Sequence, residues 1–84
     1  MNYVYILQSI RDNKLYIGCT SDLKKRIELH NSGKVESIKN RKPLKIIYYE
    51  AFLNQRDAFK REQWLKIGWG RNHIQKILSS YLKI

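Results

Sequence analysis

Apolar and polar positions change period several times along this chain, and each change marks an element. Tyr3-Val4-Tyr5-Ile6-Leu7 and Leu15-Tyr16-Ile17-Gly18 are short runs rich in aromatic and β-branched residues, which read as two strands. The polar stretch Ser9–Asn13 between them, with its Asp12-Asn13 pair, predicts a turn and therefore a β-hairpin. Directly opposed side chains share a face, so an even-numbered loop would bring Tyr5 and Tyr16 together. Both faces of this hairpin are apolar. Val4 and Ile6 oppose Tyr3, Tyr5 and Leu7 on the first strand; Leu15, Ile17 and Cys19 oppose Tyr16 on the second. Such a sheet needs a layer on each side.

A third strand is expected from Leu44 to Phe52, started by Pro43 and rich in Ile46, Ile47, Tyr48 and Tyr49. The helical period predicts a first helix after a Thr20 or Ser21 cap, with Asp22 at its positive start. Leu23, Ile27 and His30 form its inward stripe, and Gly33 ends it. A second helix follows an Asn54 cap, with Asp57 completing an approximate capping box, and runs to about Ile67 before Gly68 and Gly70 break it. A third runs from Arg71 to Leu82 on the stripe Ile74, Ile77, Leu78 and Tyr81. The expected fold is α+β: a three-stranded, mainly antiparallel sheet flanked by three helices, with residues 1–84 as one domain.

Chemistry enters where a charge breaks an apolar face. Ala58, Glu62, Leu65 and Trp69 fall on one stripe of the second helix, which sets a carboxylate in the middle of the inward face. A buried carboxylate needs a cation or several hydrogen bonds. A salt bridge to Arg26 or another base would satisfy it, and so would a divalent metal. One carboxylate suits Mg²⁺, with Mn²⁺ as a substitute, because Mg²⁺ keeps several waters and takes phosphate oxygens for its remaining positions. Arg26 flanks the inward stripe of the first helix, where its stem could follow the apolar seam and present a bidentate donor to phosphate. The plainer reading is a surface arginine paired with Glu28 or Asp22. Tyr16 is the candidate general base, with Tyr5 positioning water or supporting it. A free phenol has a pKa of about 10, and Arg26, a metal and a basic surface would each favour the phenolate. His30, one turn beyond Arg26, joins the candidate catalytic residues, although a lone inward histidine is more often a packing residue.

The phrases Tyr3-Val-Tyr-Ile-Leu, Leu15-Tyr-Ile-Gly-Cys-Thr, Asp22-Leu-Lys-Lys-Arg, His30-Asn-Ser-Gly and Pro43-Leu-Lys-Ile-Ile-Tyr together resemble the GIY-YIG nuclease superfamily, in particular its small stand-alone bacterial members. The second motif is intact as Tyr16-Ile17-Gly18; the first has drifted to Tyr3-Val4-Tyr5. The resemblance covers nearly the whole chain. It implies the same α+β architecture, active-site roles for Tyr5 and Tyr16, a catalytic Arg26, and metal binding by Glu62. It also implies a metal-dependent endonuclease acting on DNA, with Mg²⁺ the expected ion and structure-selective repair or recombination the expected task; low sequence specificity is expected from the phosphate-directed basic segment. Asn72 would stand for the polar asparagine of some members. Cys19 stands where repair-type relatives carry a lysine, and is read here as an inert buried thiol.

Charge extends the picture. Seventeen Lys and Arg against seven Asp and Glu give a net charge of +10, a field that attracts polyanions. Lys34, Lys39, Arg41, Lys42 and Lys45 cluster in the segment Lys34–Lys45, read as a substrate-gripping loop, and suit phosphate contacts, which position nucleic acid without reading its sequence. DNA is the expected partner, with RNA not separated from it by the residues alone. A single cysteine, no apolar run of bilayer-crossing length and a strand at the N-terminus predict a cytoplasmic protein. Two rival readings stand beside the enzyme. One is a non-catalytic nucleic-acid-binding module of the same fold; the other is an interaction subunit docking a protein through Trp64 and Trp69.

Overall fold

A computed structural model of the chain describes residues 1–32 and 43–84. Strands β1 (Asn2–Ser9) and β2 (Leu15–Thr20) form the expected hairpin, and β3 (Leu44–Phe52) pairs antiparallel with the other edge of β1. Among the described residues the sheet order is β2-β1-β3. Helix α1 (Leu23–Asn31) follows the hairpin; α2 (Gln55–Leu65), α3 (Gly68–Ile77) and the short α4 (Ser79–Leu82) follow β3. The α+β class and the antiparallel sheet are as expected.

The turn shows why the register holds. Ser9 N–H donates to the Lys14 carbonyl at 3.0 Å and closes a loop of Ile10–Asn13, an even number of residues. The Ser9 hydroxyl accepts from the Arg11 N–H at 3.2 Å, and the Asp12 carboxylate from the Lys14 N–H at 3.0 Å. Asn13 takes the left-handed φ of 63°, a conformation asparagine tolerates. Tyr5 therefore faces Gly18 across the ladder, and Leu7 faces Tyr16. The two tyrosines share a face as diagonal neighbours.

Central strand β1 is buried without a break from Val4 to Ser9, because it is covered on both sides. On one face Val4 and Ile6 pack with Ala58, Leu65 and Ile74 of α2 and α3. On the other, Tyr5, Leu7 and Leu44 pack against Leu23 and Ile27 of α1. A bulge keeps both faces in phase: Ile6 opposes Tyr48 while Leu7 opposes Ile46, leaving Ile47 as the extra residue. Across the gap in the described chain, Asn31 clamps α1 to β3. Its carboxamide donates to the Leu44 carbonyl at 2.9 Å and accepts from the Leu44 N–H at 2.7 Å.

Four expectations change in detail. The α1 cap is Asp22 itself, whose carboxylate accepts from the Lys25 N–H at 3.0 Å, while the Thr20 hydroxyl accepts from the Asp22 N–H at 3.1 Å. The break between α2 and α3 falls at Lys66 and Ile67, so Gly68 and Gly70 open α3 rather than end α2. That break resets the helical phase and leaves Trp69 78% exposed, off the stripe of Ala58 and Leu65. The expected third helix is two helices, since α3 stops at Ile77 before α4. The Asn54 cap holds, its side chain accepting from the Arg56 N–H at 2.8 Å.

Gly70 is set by packing. A Cβ there would lie 2.0 Å from the Trp64 carbonyl oxygen and 2.4 Å from the Leu65 Cα, because α3 crosses the end of α2 at backbone contact. Gly70→Ala should therefore destabilise the fold by about 1–3 kcal/mol, overpacking outweighing the gain of roughly 1 kcal/mol in helix propensity. Urea unfolding checks this: a midpoint unchanged or raised would contradict the close crossing.

Candidate active site

The site is built where β1, β2, α1 and α2 meet. Tyr5 comes from the central strand and is 3% exposed, and its ring lies over Gly18 of β2. A Cβ at Gly18 would fall 2.3 Å from the Tyr5 hydroxyl oxygen and 2.4 Å from its Cζ. The space a side chain at Gly18 would take is filled by the tyrosine ring.

The Tyr5 hydroxyl is hydrogen-bonded to His30 Nε2 at 3.0 Å, and the two rings meet edge to face at 6.0 Å. His30 is thus a buried residue with a specific partner, and its Nδ1 is buried with no hydrogen-bond partner. Burial pushes the Tyr5 phenol above its ordinary pKa, against the charge and hydrogen bonding of Arg26. Burial, reinforced by the Arg26 charge, pushes His30 below its own. The bond therefore joins two neutral groups. At Tyr5 desolvation outweighs the arginine, in keeping with a supporting role.

Arg26 projects from the exposed side of α1, yet its guanidinium acts on Tyr5, His30 and Cys19 together. Glu62 reaches the same place from α2, its negative charge opposing ionisation of Tyr5 and of Cys19. Its side chain is only 12% exposed and accepts from Lys66 Nζ at 3.2 Å and Gln63 Nε2 at 3.1 Å. Of the expected salt bridge to Arg26 or another base, the structure shows the second form, an i,i+4 pair with Lys66. Lys66 is 45% exposed, and pairs of that kind contribute no more than about 0.5 kcal/mol, a weak competitor for a cation. Tyr16 is half-buried and packs on the cluster of Tyr5, Leu7 and Leu44.

Among the described residues no three His, Cys, Asp or Glu side chains group as metal ligands. A metal here would rest on Glu62 alone, with water and phosphate completing its shell. That fits Mg²⁺ or Mn²⁺ and not a closed zinc site. Cys19, half-buried, has its thiol pushed up chiefly by burial, which agrees with an inert role.

Other expected site residues are placed apart or lie outside the description. Lys45 belongs to β3, exposed and 5.3 Å over the Tyr81 ring, rather than to a loop. Lys34, Lys39, Arg41 and Lys42 lie outside the described residues. Asn72 is an exposed residue of α3 that lines a groove with Trp64 and Trp69.

One supporting network escapes the sequence reading. The Glu50 carboxylate accepts from Arg61 Nε at 2.8 Å and Nη2 at 2.9 Å, and from the Tyr48 hydroxyl at 2.6 Å. Arg61 Nη2 also lies 3.2 Å from His73 Nε2. The Arg61 hydrogen bonds hold Glu50 below its ordinary pKa, while burial and Glu50 push Tyr48 up to about 12. This bidentate pair ties α2 to β3 at the residue before Glu62. The signal for it was a carboxylate two residues from Tyr48 on a strand face otherwise apolar.

Residues 1–75 match the model of the GIY-YIG catalytic domain. A UPF0213 protein of Clostridium perfringens is 42% identical over 99% of this chain and 89% of its own length. The UPF0213 protein YazA of Bacillus subtilis is 36% identical over 77% of this chain and 67% of its own. The solution structure of a UPF0213 protein from Bacillus halodurans covers 94% of this chain and 84% of its own at 33% identity, with a TM-score of 0.56.

The neutral Tyr5–His30 pair has a signature in pH. His30 should titrate below the usual 6.5 by NMR, and Arg26→Ala should move it upwards. A depressed histidine binds its proton more weakly in the folded state. Stability should therefore fall as the pH drops from about 6.5 through the folded value, and less steeply in His30→Gln. Titration of His30 at or above its usual value would contradict the buried pair.

Proposed function

Because this chain belongs to the GIY-YIG family, a family of nuclease-type catalytic domains, we propose that it is a Mg²⁺-dependent endonuclease hydrolysing DNA phosphodiester bonds. The observation that carries the reading is the convergence of Tyr5, His30, Arg26 and Glu62, from a strand and two helices, around Gly18 and Cys19 of β2. Together with Tyr16 of β2, those side chains supply the three things phosphodiester hydrolysis needs: a cation for developing charge, a proton acceptor and an anchor for a divalent ion.

In this reading Arg26, exposed on α1, lies against the scissile phosphate and neutralises the charge that builds up as water adds. Tyr16 is the half-exposed phenol on the active face and takes the proton from the attacking water. Tyr5 stays protonated under its desolvation and is held by His30, so its role is to fix the site rather than to serve as base. Glu62 would hold Mg²⁺, which when bound supplies Lewis-acid polarisation of a phosphoryl oxygen and acidifies its waters. Lys66, half-exposed at the surface, can release the carboxylate as the ion binds.

Substrate selection follows from charge more than from shape. A chain of +10 contacts phosphates wherever they lie, which supports low sequence specificity and a structure-selective task such as repair or recombination. No helix among the described residues is long and apolar enough to cross a membrane, and we place the activity in the cytoplasm.

Cleavage of supercoiled and branched DNA, with Mg²⁺ and with EDTA, tests the proposal. Glu62→Gln and Tyr16→Phe should each lower the rate by roughly 100-fold or more while DNA binding persists. Cleavage by Glu62→Gln at the parent rate would overturn the mechanism. Binding without metal-dependent cleavage by the parent would replace the enzyme with a binding module.

A further inference from the structure

On the face away from Tyr5, the end of α2 and the length of α3 enclose an open groove of about 730 Å³, lined by Trp64, Trp69, His73, Gln75, Lys76 and Ile84. Its aromatics are unusual for a surface. Trp69 is 78% exposed, Trp64 36% and Ile84 70%. Trp64 is also held in place, with the Arg61 guanidinium 5.1 Å from its ring centroid and the His73 ring edge-on at 5.5 Å. A rigid indole beside a fully presented one forms a platform that the core does not use.

Charge decides the occupant. Among the described residues lining the groove there is no acid, and Lys76 brings a cation. The groove shares Gln75 with a second depression of about 490 Å³, where Lys14 and Arg71 stand over Leu15, Ile17 and Ile74. That second depression runs along Leu15 and Ile17 of β2, on the face opposite Tyr16 and Gly18. A basic, aromatic track thus leads from the tryptophans to the back of that strand. A second copy of a +10 chain would be repelled from it, whereas a polyanion is drawn in.

We infer that this groove binds an unpaired stretch of nucleic acid, bases stacking on Trp69 and Trp64 and phosphates meeting Lys76, Arg71 and Lys14. Bases within a duplex are already stacked on their neighbours, so an indole can take only those that are unpaired. The inference rests on the nucleic-acid reading above and sharpens it: the substrate class is DNA that carries a single-stranded segment.

Fluorescence anisotropy at fixed salt in EDTA, where nothing is cut, compares an oligothymidylate with a duplex of equal length. The oligothymidylate should quench tryptophan emission. Trp69→Ala should weaken its binding by about tenfold while duplex affinity changes by less than about twofold. Trp69→Phe, which keeps a stacking face, should restore most of the loss. Because Trp69 is so exposed, circular dichroism should show Trp69→Ala folded as the parent.

Unchanged oligothymidylate affinity in Trp69→Ala would overturn the inference, and so would equal weakening on both probes. A parent dimer that Trp69→Ala converts to monomer, with oligothymidylate binding intact, would assign the groove to self-association instead. The endonuclease reading is tested separately. Metal-dependent cleavage with Trp69-independent binding sinks only the groove, and Trp69-dependent binding without any cleavage sinks only the enzyme.

Discussion

Tyr5 stands opposite Gly18 across the first hairpin, and the Cβ that Gly18 lacks is the space the tyrosine ring fills. Everything at the candidate site follows from that pairing. The even-numbered Ile10–Asn13 loop sets it, with the Ser9 hydroxyl and Asp12 carboxylate holding the turn. Since β1 is buried on both faces, a slip of one residue would send Tyr5 into the Val4–Ile6 core and Ile6 into the α1 layer. With the register held, the phenol reaches His30 on α1 and comes within the fields of Arg26 and Glu62.

Desolvation and charge act against each other at this spot, and the outcome separates roles. Arg26 favours a phenolate at Tyr5, but burial and the Glu62 carboxylate oppose it, and the phenol remains protonated. His30 is kept neutral by burial and by the same arginine. Two of the candidate catalytic residues thereby form a neutral, hydrogen-bonded support. The remaining division follows: Arg26 and Glu62 carry charge, and Tyr16, at the edge of the same cluster, is the phenol left for proton transfer in the proposed reaction. The Glu50–Arg61 pair extends this support to α2.

Much of this was legible in the sequence, for physical reasons that differ by element. The bounds of β3, Leu44–Phe52, were readable because proline and a β-branched, aromatic run leave few alternatives. The shared face of Tyr5 and Tyr16 followed from loop parity, and the Asn54 cap from its side-chain chemistry. The helical wheel placed Ala58, Glu62 and Leu65 inwards but failed at Trp69, because the break at Lys66–Ile67 restarts the phase. Gly68 and Gly70 read as helix breakers, whereas Gly70 is needed for a helix crossing no local pattern reveals. The Glu50–Arg61–His73 network joins a strand to two helices, and such partners have no periodicity to betray them.

The proposed chemistry depends on a single carboxylate next to the tyrosine–arginine cluster being where a divalent ion binds. Titration of ¹⁵N-labelled protein with Mn²⁺, a paramagnetic stand-in for Mg²⁺, examines that location without any substrate. Line broadening centred on the amides around Glu62, Gly18 and Cys19, and abolished by Glu62→Gln, is the expected result. Broadening centred on Glu50 or another carboxylate, or unchanged by Glu62→Gln, would contradict it.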